Sequence, residues 1–248
     1  MNISNATAEN TVITAGRLFL IPVPLGPSPL TGLLPDDVRA CASRLQHFVA
    51  ENAKSARAFL KTLPSCTPLQ QIDIRELNEH TAPRDLPELL APLRAGKDIG
   101  LISEAGCPAV ADPGSSLVAL AHAEGFIVQP MVGPSSILLA LMGSGLSGQN
   151  FAFHGYLPAK EEQRQAKIRS LEKDSRQEKR TQIFIETPYR NNQMLKTLTS
   201  ICTDGTKICV ATDLTLGSQE ITTHTCAEWL KRPLPMIDRR PTVFLLQA

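Results

Sequence analysis

Three loops of this chain carry residue types that let a backbone close tightly on a ligand. The first is Ile21-Pro22-Val23-Pro24-Leu25-Gly26, where proline fixes the backbone just beyond a predicted strand and Gly26 permits a tight turn. Alone, it reads as a rigid surface turn or as a ligand loop. The second, Ser103-Glu104-Ala105-Gly106-Cys107-Pro108 followed by Ala111-Asp112-Pro113-Gly114, is a long turn of small residues that a ligand can approach closely. Its Glu104 is either a ligand group or a capping or solvated carboxylate. In the third, Gly133-Pro134-Ser135-Ser136, a serine hydroxyl either caps a helix or joins the free amides there in holding a ligand.

Two further patterns point to other chemistry and are set aside. Gly143-Ser144-Gly145-Leu146-Ser147-Gly148 satisfies G-x-G-x-x-G, the dinucleotide fingerprint. It follows a helical segment rather than a strand, and no ribose-binding acid stands about twenty residues on, so a nicotinamide dehydrogenase is excluded. A hydrolase built on Cys107 needs a nearby base, and the spacing of His80, His122 and His154 supplies no support for one.

The elements that must position these loops alternate short apolar or β-branched runs with helical patterns, which predicts a parallel sheet covered by helices. Strands are expected at Leu18 to Val23, His47 to Ala50, Gln71 to Arg75, Asp98 to Ile102 and Phe126 to Met131. Helices are expected at Pro35 to Leu45, Ala53 to Leu63, Arg84 to Arg94, Ser115 to Glu124 and Ser135 to Met142. In such a sheet the ligand sits at the carboxyl ends of the strands, so all three loops should leave one edge.

The Gly- and Ser-rich stretch Gly143 to Asn150 reads as a linker, dividing the chain into domains at 15–145 and 150–248. The second begins with a strand at Phe151 to Gly155 and a polar helix at Lys160 to Arg180, with eight basic and five acidic residues. Strands at Gln182 to Ile185, Ile208 to Thr212 and Thr242 to Leu246 follow, with helices at Asn191 to Ile201 and Cys226 to Leu230.

Composition bounds the rest. With 248 residues, 42% hydrophobic and 20% charged, the chain is long enough for two modest domains, each with a core. Its six cysteines are far apart with no C-x-x-C pair, which argues against a zinc ribbon or a disulfide framework and for small buried hydrophobes. No metal site is expected. Met1 to Thr11 has neither a basic leader nor a signal-length apolar run, and no later stretch approaches the roughly 18 apolar residues of a membrane span, so a cytoplasmic location is expected. The net charge of +1 neither demands nor excludes nucleic acid.

The ordered set of Phe19-to-Gly26, Asn78-Glu79, Ser103-to-Gly114, Gly133-to-Ser136, Phe153-His154-Gly155-Tyr156-Leu157-Pro158 and Glu186-Thr187-Pro188-Tyr189-Arg190 resembles the tetrapyrrole methylase superfamily. It is most similar to the branch that methylates the cytidine 2′-oxygen of 16S ribosomal RNA. The likeness runs from about Gly16 to the C-terminus. It implies an α/β protein of two domains, a parallel doubly wound N-terminal one and a mixed-sheet C-terminal one, forming a homodimer that binds S-adenosylmethionine between the domains.

By the same resemblance Pro24, Ser103, Glu104, Ala105, Val110, Ser135 and Ser136 lie at the donor, and Glu186 falls where the family closes over its methionine part. Glu186 reads alternatively as a carboxylate paired with Arg190 at a helix start. The chain also departs from the family pattern. Gly26 is followed by Pro27-Ser28-Pro29 in place of the common Gly-Asn-Leu, and Glu51-Asn52-Ala53-Lys54-Ser55-Ala56 keeps only the leading Glu and a basic residue of an acidic, Thr- and Arg-containing run.

Methyl transfer to a ribose hydroxyl needs the reacting groups held in line and a base for the hydroxyl proton. Glu79 and Glu51, each near a strand end, are the candidates for proton acceptor or substrate positioning, with a surface carboxylate as the plainer reading. Ribosomal RNA is the expected substrate. Lys54 with Arg57, and Arg164 with Lys167 and Arg169, are candidate phosphate contacts or solvated helix faces. At 4% aromatic, the composition offers no evident stacking platform for single-stranded RNA. Alternatives are a methylase of a small tetrapyrrole-like substrate and a non-catalytic RNA- or ligand-binding relative.

Overall fold

The structure is a computed structural model that describes residues 15–64 and 67–248. Cys66 and the Met1-to-Thr11 stretch lie outside the described residues. The chain forms two compact units, one from residues 15–23 and Leu34–Val132, the other from Pro24–Leu33 and Gly133–Ala248.

The first unit runs β1 (Arg17–Leu20), α1 (Asp36–Arg44), β2 (His47–Ala50), α2 (Ala53–Leu60), β3 (Asp73–Glu76), α3 (Leu86–Leu89), α4 (Ala91–Arg94), β4 (Ile99–Ile102), α5 (Gly114–Ala123) and β5 (Ile127–Pro130). Its sheet has the order β3-β2-β4-β1-β5, and every pairing is parallel. Parallel neighbours require long crossovers, which the helices supply while covering the sheet. Central β4 is buried at all four positions, as its unbroken Ile-Gly-Leu-Ile run predicts. Gly100 is needed there, because a Cβ at this position would stand 2.6 Å from the Phe48 ring.

The helix expected over Arg84 to Arg94 is broken. A 3-10 turn, Pro83–Asp85, precedes α3, and α3 and α4 part at Leu90. Pro87 and Pro92 each stand in the first turn of their short helix, where the missing N–H costs nothing. The leucine spacing still serves the core, since Leu89, Leu90 and Leu93 are buried with Leu18, Leu101 and Leu117.

The second unit contains α6 (Ser136–Ser144), β6 (Phe151–Tyr156), α7 (Glu161–Glu178), β7 (Thr181–Ile185), α8 (Asn191–Ile201), β8 (Lys207–Thr212), β9 (Glu220–Thr225), α9 (Cys226–Trp229) and β10 (Thr242–Gln247). Its sheet, β6-β7-β10-β8-β9, is mixed, with β6 and β7 parallel and the other neighbours antiparallel. One core gathers Ile168, Leu171, Phe184, Leu195, Leu198 and Phe244 between the sheet and helices α7 and α8. A second, on α6, gathers Ala140, Leu141, Ile183, Ala211 and Leu245.

The strand β9 has no counterpart among the expected elements. Its Glu-Ile-Thr-Thr-His-Thr sequence holds one large aliphatic residue and lies at the sheet edge, where β-branched threonines suffice. Gly143 and Ser144, read as the start of a linker, are the last residues of α6, which ends at Gly145 in the left-handed conformation. Cys41, Cys202, Cys209 and Cys226 are buried. Among the described residues no helix is long and apolar enough to cross a membrane.

Candidate functional site

Where β2, β3 and β4 end at their carboxyl edge, the first unit opens a cavity of about 820 Å³. Glu51 and Asn52 enter it from beyond β2, Asn78, Glu79 and His80 from beyond β3, and Glu104 from beyond β4. The far wall is the turn into α5, with Asp112 at its centre.

Each wall is held by local hydrogen bonding. Asn52 caps α2, its Oδ1 accepting from Lys54 N at 2.8 Å and Ser55 N at 3.3 Å, while Glu76 Oε1 accepts from Ala53 N at 2.9 Å. The Ser55 hydroxyl donates to Glu104, joining the start of α2 to the loop after β4. Asp112 Oδ1 accepts from Ala109 N at 2.8 Å and Gly114 N at 2.7 Å. That clamp spans Ala109 and Ala111, both in the left-handed region at φ 65° and 58°, a conformation that residues with a Cβ adopt only when their surroundings impose it.

Four carboxylates, Glu51, Glu79, Glu104 and Asp112, line this cavity and no Lys or Arg does. Burial raises the Glu51 pKa above the ordinary glutamate value, and the charges of Asp112, Glu104 and Glu79 push it the same way. Burial also raises Asp112, outweighing the two amides that stabilise its charged form. The site therefore favours cations and hydrogen-bond donors and repels anions. Among the described residues no group of three or more His, Cys, Asp or Glu is placed to hold a metal ion.

Of the residues singled out from the sequence, Glu51, Glu79 and Glu104 meet at this cavity. Ser103 turns inward, its hydroxyl facing the carbonyls of Ala105 at 3.3 Å and Gly106 at 3.2 Å. Ala105 and Val110 are exposed on the same loop. Because all five strands are parallel, the loops after β1, β4 and β5 do leave one edge. Beyond Val23 and Val132, however, the chain belongs to the second unit.

There Pro24 begins a segment in which Leu25 packs against the core that holds Ala140 and Leu141, and Ser28 Oγ donates to Thr215 O at 3.3 Å. Ser135 caps α6, accepting from Leu138 N at 3.5 Å, and Ser136 opens that helix. Glu186 is buried, its Oε1 accepting from Arg190 Nη2 at 2.7 Å and Nε at 3.0 Å.

Asp112, Asn52, Asn78 and His80 complete the cavity without having been singled out as site residues. Asp112 and Asn78 stood inside quoted motifs, but a turn-forming Asp-Pro-Gly and a lone Asn carry no sign of facing a ligand. The basic cluster on α7 is not a single patch. Arg164 is buried beside Ile168 and Leu171, donating through Nη1 to Ala159 O at 2.9 Å, whereas Arg169 is exposed. Positions five apart on a helix do not share a face. Lys54 and Arg57 are both exposed on α2.

No family model matches the chain. In sequence it is 35% identical over 188 residues to the Ribosomal RNA small subunit methyltransferase I of Synechocystis sp., covering 76% of this chain and 62% of that protein. It is 32% identical over 220 residues to the protein of that name from Micromonospora olivasterospora, covering 88% of this chain and 65% of the other. The chain thus spans less than two thirds of the length of these curated relatives. Its fold matches the crystal structure of the methyltransferase CobJ with a TM-score of 0.62, at 18% identity, over 94% of this chain and 95% of that one. A parallel and a mixed five-stranded sheet in this order give the chain the two-domain α/β fold of that methyltransferase, and its sequence is similar to proteins named ribosomal RNA small subunit methyltransferase I.

Proposed function

We propose that this chain binds S-adenosylmethionine and transfers its methyl group to a ribose 2′-hydroxyl of ribosomal RNA, working as a homodimer in the cytoplasm. The observation that carries the reading is the cavity at the carboxyl edge of the parallel sheet, lined by four carboxylates with no Lys or Arg among them, in a chain similar to proteins named ribosomal RNA small subunit methyltransferase I. Its volume of about 820 Å³ lies within the range of small-molecule sites.

The donor chemistry fits these residues. Its sulfonium is attracted to carboxylates by charge, and its ammonium and ribose hydroxyls donate to them, while its own carboxylate would lie away from this acidic cluster. Glu104, with Pro24, Ser103, Ala105, Val110, Ser135, Ser136 and Glu186, would hold it, as the family resemblance implies. When bound, the donor supplies an electrophilic methyl group on sulfur.

The remaining work belongs to the protein. Glu51 or Glu79 accepts the hydroxyl proton as the ribose oxygen attacks, and Glu51, made more basic by burial and by its neighbours, suits that role better than an ordinary surface glutamate. Glu51 and Asp112 are half-buried in the cavity wall.

Calorimetric titration with S-adenosylmethionine, and separately with NAD, tests the class. Saturable binding of the methyl donor alone, with labelled methyl passing to bulk ribosomal RNA, supports the reading. Label passing only to a small tetrapyrrole replaces the acceptor, and binding without any transfer indicates a non-catalytic relative. Glu104→Ala and Ser135→Ala should weaken donor binding, whereas Glu79→Ala should keep donor affinity and slow transfer. Equal donor affinity in all three variants overturns that division of roles.

A further inference from the structure

We infer that Tyr189 and Arg239, in the second unit, form a platform for single-stranded RNA, Tyr189 stacking a base and Arg239 pairing the adjoining phosphate. The inference rests on the RNA reading above and adds a place where the substrate strand is held. Composition gave no hint of it, since the chain has two tyrosines.

Tyr189 lies in the 3-10 turn Pro188–Arg190 between β7 and α8 and is 68% exposed. An aromatic ring left so far in water has no packing role to explain its position. The Arg190 guanidinium stands 5.6 Å from the ring centroid and is itself fixed by two hydrogen bonds to buried Glu186. One side of the ring is thereby braced by an immobile cation, and the exposed remainder is open to a planar partner.

Arg239 is brought to the same turn by its own backbone, its N–H donating to Pro188 O at 3.1 Å. Its φ of 58° is left-handed, a conformation in which arginine is uncommon. The chain is clamped on both sides of it, because the Nδ2 of fully buried Asn191 donates to Ile237 O at 2.9 Å and to Arg240 O at 2.7 Å. The result is an arginine side chain 86% exposed on a rigid backbone, with its nearest acid, Asp238, at the long distance of 3.9 Å.

The connection Lys231–Arg240 holds four basic residues and one acid, a net charge of 4 − 1 = +3, and Lys231 and Arg232 are exposed. An exposed aromatic and an exposed arginine on adjoining, hydrogen-bonded turns supply the chemistry that stacks a base and pairs a phosphate. Leu230, Leu234 and Met236 around this connection are exposed too and would suit a protein partner, but its four basic residues against one acid favour a phosphate backbone.

The test is fluorescence anisotropy of the full chain with a labelled single-stranded RNA of about 12 nucleotides, measured over a range of salt. Tyr189→Ala should weaken binding about tenfold and Tyr189→Phe should retain it. Arg239→Ala should lower the slope of log affinity against log salt by about one.

If the unaltered chain binds RNA and both alanine variants bind equally well, the platform is overturned while the RNA reading stands. Donor binding without RNA binding overturns both the platform and the RNA acceptor and leaves the methyl-donor reading. Binding of neither removes the proposed function as well. A change of oligomeric mass in Tyr189→Ala, with RNA affinity intact, assigns the surface to protein contact and overturns the inference.

Discussion

The cavity acids of the first unit and the buried acids of the second differ in whether Lys or Arg stands against them. In the second, each buried acid is matched to donors. Glu172 Oε1 accepts from Thr203 N at 2.7 Å, Thr203 Oγ1 at 2.9 Å and Thr206 Oγ1 at 2.5 Å, with Arg176 at 3.5 Å. Glu186 is paired with Arg190, and Asp213 with Arg240 and Ser218. In the first unit, Glu51, Glu79, Glu104 and Asp112 face a common cavity with no Lys or Arg in its lining. Matched buried charges serve the fold, because removing one partner strands the other. Clustered like charges work against the fold, and a protein that keeps them keeps them for a ligand.

The widest separation between the units should come from Glu172→Ala, which leaves the Thr203 amide and two hydroxyls without their acceptor and should cost about 3 kcal/mol in urea unfolding. A cost under about 1 kcal/mol would mean that the pairing is replaceable by water and the contrast is weak. Glu51→Gln should act the other way. It should slow methyl transfer by roughly 100-fold, read in a labelled-donor assay, while leaving unfolding free energy unchanged or raised. A loss of stability as large as that of Glu172→Ala would make Glu51 a structural acid.

Legibility does not divide between the units: α8 matches its expected range residue for residue, and β6, β7, β8 and β10 lie within a residue of theirs. Elements of both units are readable where their signals are local. His47–Ala50 was recovered residue for residue, and β4, α5 and β5 to within a residue or two, from apolar runs closed by Gly and Pro. Leu86 to Leu93 kept its spacing although prolines cut the helix, since burial follows the periodicity and continuity follows the backbone N–H groups. The edge strand β9 was hidden because threonines at 222, 223 and 225 carry no apolar alternation. At the site, the carboxylates at strand ends were visible. The Asp112 clamp was not, because it exists only once Ala109 and Ala111 are left-handed.

Stability as a function of pH sharpens the comparison with opposite signs. Burial raises Glu51 and Asp112, so the folded protein binds their protons more tightly than the unfolded chain. Their contribution to stability is fully present below the ordinary values of 4.5 and 3.8 and is lost as pH rises through their higher folded values. For Glu172 burial would raise the pKa, but the hydrogen bonds from Thr206 and Thr203 and the charge of Arg176 outweigh it and hold it low. Its contribution is present above 4.5 and is lost as pH falls through its lower folded value. Urea unfolding from pH 3 to pH 8 should show Glu51→Gln flattening the decline above 4.5 and Glu172→Gln flattening the one below it. The two units would be indistinguishable in charge if both variants moved the same limb.

The smallest effect falls on Asn52, which serves both sides of the comparison, since it caps α2 and lines the cavity. Asn52→Ala should cost about 1 kcal/mol, the usual worth of an N-cap. Asn52→Asp separates the two roles. Aspartate caps as well as asparagine does, and its charge suits a helix N-terminus. Here it would also place a fifth carboxylate beside Glu51, Glu79, Glu104 and Asp112. If mutual repulsion in the cavity governs, Asn52→Asp should be less stable than the unaltered chain at pH 7 by a few tenths of a kcal/mol and should recover as the pH approaches 4. Equal or greater stability at neutral pH would mean that water already screens these charges, leaving the cap as the reason for asparagine at this position.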